Sequence, residues 1–200
     1  MTSSVPEPTV QTPKSLIAIC QWCLPNPEIS GLTQARTLGF DGVQLDLGIQ
    51  TDTRNLTEPA KLSACLAAVK DSGLSVPTLG LNYVALNRSD QETTICRILD
   101  QSLAIAAKLG AKTLQLCSFW EGGMHSAEAF AHTVRHLRYI CHQAEAYDLV
   151  IGSENDLDLT GNQKLLDAVS YPNFGIYFDT ANPWLYTRAD ALLMLQTLYP

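Results

Sequence analysis

The stretches "ARTLGFDGVQLDL" (residues 35–47) and "AAKLGAKTLQLCS" (residues 106–118) are two copies of one pattern: a helix end, Leu-Gly, then a short strand containing Gln-Leu. Between them "AVKDSGLSVPTLGL" (residues 68–81) repeats it with Gly73 in the place of Gly39 and Gly110, so successive glycines stand 34 and 37 residues apart. Each glycine falls where a helix closes on a left-handed residue before the chain turns into a strand, a conformation that costs little without a Cβ. Helix alternating with strand at this period predicts parallel βαβ units.

Continued along the chain, the pattern predicts strands near residues 15–21, 42–47, 74–81, 112–118, 149–154 and 174–179, with helices in the gaps. Ser89, in "SDQE", is the expected N-cap of the third long helix, with acidic residues in its first turn. Ser126, with Glu128 close behind, is that of the fourth. In the fourth helix Phe130, Val134, Leu137 and Ile140 form one apolar stripe, and His132, His136 and His142 are expected to be partly exposed. Neither Gly-x-Gly-x-x-Gly nor Gly-x-x-x-x-Gly-Lys occurs, which removes the fingerprints of a nucleotide-binding sheet. The expected fold class is therefore α/β: a TIM-type (β/α) barrel that is incomplete, with about six of the eight βα units of the full architecture. Two strands short, its open edges need cover, for which a homo-oligomer is the expected arrangement.

The 200 residues are 46% hydrophobic and 16% charged, the composition of a globular domain with a sizeable core. Residues 14–200 are assigned to the barrel and residues 1–13 to a disordered N-terminal tail. A net charge of -7 sets a repulsive surface against nucleic acid. The opening "MTSSVPEPTVQTP" has neither the basic start nor the apolar core of a signal peptide, and no apolar run is long enough to span a bilayer. The expected setting is cytoplasmic, with no nucleic-acid and no membrane partner. The six cysteines are scattered, as reduced cysteines are. Only Cys20 and Cys23, in "CQWC", have a motif's spacing; they end an apparent strand and lack a second close pair, so neither a redox nor a zinc role is expected of them.

Side chains on a barrel strand alternate between the interior and the surrounding helices. In "GVQLDLG" the apolar Val43, Leu45 and Leu47 face the helices, which turns Gln44 and Asp46 inward. The same phase turns Gln115 and Cys117, Gly152 and Glu154, and Gly175, Tyr177 and Asp179 inward. Glu154 and Asp179 fall at the C-terminal ends of neighbouring strands, about 4.8 Å apart across the ladder, on the face where such barrels place their chemistry. Two carboxylates aimed into one mouth repel unless they share a proton or a cation, and a divalent metal with Glu154 and Asp179 as ligands resolves that conflict. A structural reading stays open beside it, in which Asp179 caps the following loop through Thr180 and Asn182, and Glu154 pairs with Arg188 or a lysine.

Trp22, Tyr83, Trp120 and Trp184 also lie just past strand ends, near Asn82 and His125. Amphipathic rings beside polar groups suit a sugar, whose C–H faces stack on aromatics while its hydroxyls take hydrogen bonds. Rings that merely cover the barrel top are the competing account. With the inward Gln44 and Asp46, and with Asn182, these residues make up the expected substrate-binding set.

Together "GFDGVQLDL", "SEND" after the fifth strand and "NFGIYFDTANPW" on the sixth resemble the sugar phosphate isomerase/epimerase superfamily, the xylose isomerase-like TIM barrels. The likeness runs over nearly the whole chain from Lys14 on. It implies a single divalent ion, Mn, Co or Mg with Zn as a further candidate, held by a Glu after strand five, an Asp after strand six, a His after strand seven and a Glu after strand eight. Glu154 matches the first and Asp179 the second; the other two would lie beyond Pro200, which leaves an ion weakly held or absent in this chain. The resemblance further implies that the metal polarises a small ketose, sugar or sugar phosphate, while two glutamates move protons through an enediolate. Glu154 is then a catalytic residue as well as a ligand. The alternative is a truncated, non-catalytic barrel that binds a sugar or a protein partner. Apurinic endonucleases of the superfamily carry a His three residues after the strand-six Asp; Asn182 stands there instead, and the acidic surface also opposes DNA.

Overall fold

The computed structural model describes residues 15–48 and 54–199, so the expected tail, residues 1–13, lies outside the described residues. Among those described, six strands form one parallel sheet in chain order: β1 (Ala18–Cys20), β2 (Gly42–Asp46), β3 (Thr78–Leu81), β4 (Thr113–Ser118), β5 (Val150–Asn155) and β6 (Phe174–Ile176). Helices α1 (Leu32–Thr37), α2 (Pro59–Ser72), α3 (Glu92–Leu109), α4 (Ala127–Ala144), α5 (Leu159–Val169) and α6 (Ala191–Leu198) each follow one strand. β1 and β6 do not pair with each other, so the α/β barrel is incomplete and open on one side.

The repeat glycines do what their position requires. Gly39, Gly73 and Gly110 lie just past α1, α2 and α3 with φ of 91°, 66° and 74°, the left-handed region that lets each helix end and the next strand begin. At the other end of a helix, Ser126 Oγ accepts a bond from the Ala129 amide at 3.0 Å and caps α4. Ser89 does not cap α3. That helix starts at Glu92 behind Gln91, because the Arg88 guanidinium forks onto Asp90 at 2.9 and 2.8 Å and holds residues 88–90 in a turn of their own.

Three strands are shorter than predicted by three residues or more. β1 stops at Cys20 because Gln21–Cys23 wind into a 3-10 turn, in which the buried Gln21 donates to the Pro27 carbonyl at 2.7 Å and accepts from the Asp46 amide at 3.1 Å. β3 begins after Pro77, which has no N–H for the ladder, and Ser75 makes only an isolated bridge to Gly42. β6 ends at Ile176, with one further ladder bond from the Tyr177 amide to the Ser153 carbonyl at 2.8 Å.

Alternate residues of the strands, Val43, Leu45, Leu79, Leu81, Leu114, Leu116 and Ile151, are buried in one cluster with Leu99, Leu103, Leu137, Ile140 and Leu165 of the helices. His136 departs from the expected partial exposure. It is 1% exposed, its Nδ1 lies 2.7 Å from the Leu86 carbonyl, and it ties α4 to the loop after β3. The elements that adjoin the two edge strands are not covered in the same way: Leu16 and Ile17 before β1, and Leu192, Leu193 and Leu195 on α6, are exposed. Among the described residues no helix is long and apolar enough to cross a membrane.

Candidate functional site

Between the strands the inward side chains form a chain of hydrogen bonds. Tyr177 donates its hydroxyl to Gln44 Oε1 at 2.9 Å, Gln44 Nε2 donates to Gln115 Oε1 at 2.8 Å, and Gln115 Nε2 donates to Glu154 Oε2. Glycines make the room for it. A Cβ on Gly80 would stand 2.6 Å from Gln115 Oε1 and 3.3 Å from Gln44 Nε2, and one on Gly152 would stand 3.1 Å from Tyr177 Cβ. Glu154 is paired to Cys117 across the β4–β5 ladder, and Cys117 Sγ reaches Asn82 Oδ1 at 3.1 Å.

Glu154 is half-buried, and its other oxygen, Oε1, accepts from Asn182 Nδ2 at 3.0 Å. Burial pushes its carboxyl above the usual carboxylate range. The bonds from Gln115, Cys117 and Asn182 oppose that rise, and the negative charge of Asp179 adds to it. The ion pair with Arg188 does not form: Arg188 lies over the Trp184 ring at 5.2 Å. Burial likewise raises the Cys20 thiol to about 11, with Cys23 adding to the shift, which is the opposite of what a redox thiol needs.

Asp179 comes three residues beyond the end of β6, in the loop rather than in the strand. Its Oδ1 accepts from the backbone amides of Ala181 at 2.6 Å and Asn182 at 2.8 Å, so the carboxylate does cap the turn that presents Asn182 to Glu154. The cap runs through Ala181 and Asn182 backbone rather than through Thr180. Among the described residues no group of three His, Cys, Asp or Glu side chains gathers closely enough to hold a metal. Glu154 and Asp179, two hard oxygen donors coupled by charge, fit half of the shell that the sequence resemblance implies.

Above this network opens a cleft of about 680 Å³. Trp22, Tyr83 and Trp120 wall it with Asp46, Asn82, Glu154 and Asn182. Phe119 and Tyr186, absent from the expected set, complete the wall with ring centroids 5.4 Å apart. Trp120 is 72% exposed and holds φ at 49°, a left-handed backbone that a bulky residue adopts only at a cost of about 1–2 kcal/mol. Asn87 ties the two loops carrying Tyr83 and Trp120 together, donating to the carbonyls of Glu121 at 2.7 Å and Gly123 at 3.1 Å.

The remaining expected residues lie elsewhere. Gln44 sits beneath the cleft as part of the buried chain. Trp184 is exposed under Arg188, on the wide turn Pro183–Thr187. His125 packs on Gly123 and faces the Asp156 carboxylate at 3.4 Å. Gln115 and Tyr177 are the supports that the sequence pointed inward without naming a task; only the strand alternation could have found them.

A Gly80→Ala substitution tests the buried chain. The added methyl meets the Gln115 amide, so the variant is expected to lose about 1–3 kcal/mol of stability by denaturant titration, and chemical-shift changes at Gln44 and Gln115 side-chain amides should accompany the loss. Unchanged amide signals would contradict the contact.

The xylose isomerase-like TIM barrel family model matches residues 32–197. The 2-epi-5-epi-valiolone 7-phosphate 2-epimerase of Actinoplanes sp. is 26% identical over 178 residues, an alignment that takes in 88% of this chain and 66% of that protein. The present chain therefore spans just under two thirds of that relative. Among solved structures, a xylose isomerase-like TIM barrel protein from Mycobacterium smegmatis in complex with magnesium superposes with a TM-score of 0.75 at 12% identity, covering 92% of this chain and 71% of that one. The 3-keto-D-glucoside 4-epimerase of E. coli, in its apo form, superposes with a TM-score of 0.73 at 16% identity, covering 92% and 75%. With six parallel βα units, a barrel open between β1 and β6, and a family match over most of its length, the chain belongs to the xylose isomerase-like TIM barrels.

Proposed function

We propose that this chain carries the site of a metal-assisted isomerase or epimerase acting on a small ketose. The observation that carries the reading is Glu154: a half-buried carboxylate with a raised proton affinity, held by two neutral amides and the Cys117 thiol, at the floor of an aromatic-walled cleft. Gln115 and Asn182 orient its two oxygens, and its raised titration range brings it closer to neutral pH, where a base is most useful. In that role Glu154 takes the proton from the carbon beside the ketose carbonyl. The C–H electron pair becomes the C=C of an enediolate; return of the proton from Glu154 to the neighbouring carbon gives the isomer, and a proton delivered by water to the opposite face gives the epimer. Glu154 and Asp179 would hold a divalent ion, whose positive charge would make such a C–H more acidic. The aromatic walls stack the sugar's C–H faces, and the Asn82 and Asn182 amides meet its hydroxyls.

Incubation with ketoses in heavy water and a divalent salt, followed by NMR, tests this. The expected result is wash-in of deuterium beside the carbonyl, slowed about 100-fold or more in Glu154→Gln. If no ketose exchanges with the parent chain, or if Glu154→Gln exchanges as fast, the reading fails.

Metal affinity should depend on pH through the same carboxyl. Because its folded proton affinity is raised, Glu154 alone favours the folded state as pH falls into its titration range and disfavours it above that range. Manganese competes with the proton, so it is expected to raise the unfolding temperature at pH 7.5 and to lose that effect as pH falls through this range. An equal shift at pH 5 and pH 7.5 would mean that the ion binds elsewhere.

The exposed apolar residues on the open side support a second reading, in which another copy of the chain covers it. Light scattering is expected to return a dimer that Leu192→Ser with Leu193→Ser converts to monomer; a parent that is already monomeric would remove this reading.

A further inference from the structure

A second row of hydrogen bonds crosses the cleft floor, one inward position further along the strands than Gln115. Leu81 pairs with Leu116 and Cys117 with Glu154, so Asn82, Cys117 and Glu154 stand side by side at the ends of β3, β4 and β5. Asn182 closes the row from the loop after β6, donating Nδ2 to Glu154 Oε1 at 3.0 Å. A carboxylate can only accept, so Asn182 turns its NH2 toward Glu154 and leaves its Oδ1 over.

The other end of the row follows from the Gln115 amide. Its Oε1 is taken by Gln44, one N–H goes to Glu154 Oε2, and Nε2 also reaches Cys117 Sγ at 3.0 Å. The sulfur accepts from Gln115, and its single proton has two acceptors in reach, Asn82 Oδ1 at 3.1 Å and Glu154 Oε2 at 3.6 Å. The shorter arm belongs to Asn82, since Oε2 already takes the Gln115 N–H. With Oδ1 held by the thiol, the NH2 of Asn82 is left over. Among the described residues neither Asn82 Nδ2 nor Asn182 Oδ1 has a partner in the protein, neither atom is buried, and both side chains line the cleft. Given the ketose reading above, those two ends decide how a sugar is met. We propose that Cys117 is a positioning residue that fixes Asn82 with its NH2 in the cleft, where Asn82 donates to a carbonyl or hydroxyl oxygen of the sugar.

Side-chain amide NMR of the free protein and of its Cys117→Ser and Cys117→Ala variants tests the positioning, and titration with D-fructose in a magnesium salt tests its use. Serine keeps a group that accepts from Gln115 and donates to Asn82, whereas alanine keeps neither. The Asn82 NH2 protons of the parent are expected to exchange rapidly with water, because no acceptor in the protein holds them. Cys117→Ala should move the Asn82 amide signals toward those of a free side chain and weaken D-fructose binding about three- to tenfold, the effect of losing one hydrogen bond; Cys117→Ser should restore both. Asn82 NH2 protons protected from exchange would mean that the amide is turned the other way, and the proposal fails. It fails equally if the Asn82 signals ignore Cys117→Ala, or if the serine variant is as impaired as the alanine one, since Cys117 then only fills space. D-fructose that binds without moving the Asn82 signals leaves the sugar site standing and removes the donor role. If D-fructose shifts no cleft signal in the parent, the ketose reading falls and the donation with it, while the amide signals of the free protein still decide the positioning.

Discussion

A single directed run of hydrogen bonds, from Tyr177 through Gln44 and Gln115 to Glu154, sets the terms for the middle of this protein. Polar groups inside a barrel cannot be left unmatched, and each amide has one donating and one accepting end, so once Gln44 receives the tyrosine hydroxyl the polarity of every later link is decided. The run finishes on an oxygen that has to accept. That requirement holds Oε2 of Glu154 as an acceptor, while Asn182 claims Oε1. The links come from β2, β4, β5 and the end of β6, so one network crosses most of the sheet and ties the carboxylate to its geometry.

Asp179 reaches the same region by a different physical route. Instead of pointing inward from the strand, it folds the chain after β6 back on itself by accepting two backbone amides, and this turn brings the Asn182 amide to Glu154. The two carboxylates are therefore coupled twice, by charge and through the intervening turn. The fold around them is open between β1 and β6, and the apolar residues beside those edges remain in contact with water.

Strand order and side-chain phase were legible because both are local. The Leu-Gly-strand repeat needs only a left-handed residue at Gly39, Gly73 and Gly110, and all three have it. Alternation along β2 and β4 turned Gln44 and Gln115 inward before any partner was known, since a period of two leaves a strand residue only two directions. Other features depended on distant partners. His136 looked like a surface residue on an amphipathic helix, and it is buried because the Leu86 carbonyl in another loop accepts it. Ser89 looked like a cap, and the Arg88–Asp90 fork displaced it. Phe119 and Tyr186 gave no signal, because two aromatic residues 67 positions apart meet only when the loops after β4 and β6 close on one cleft.

The sequence by itself determined a parallel α/β barrel of six units and the inward placing of Glu154, because helix ends, strand period and hydrophobic phase are written in neighbouring residues. Only the tertiary structure decided what Glu154 touches, that Asp179 works from a turn rather than a strand, and which aromatic rings share the cleft. Those outcomes rest on amide orientations and loop contacts between segments far apart in the chain, and no local pattern encodes them.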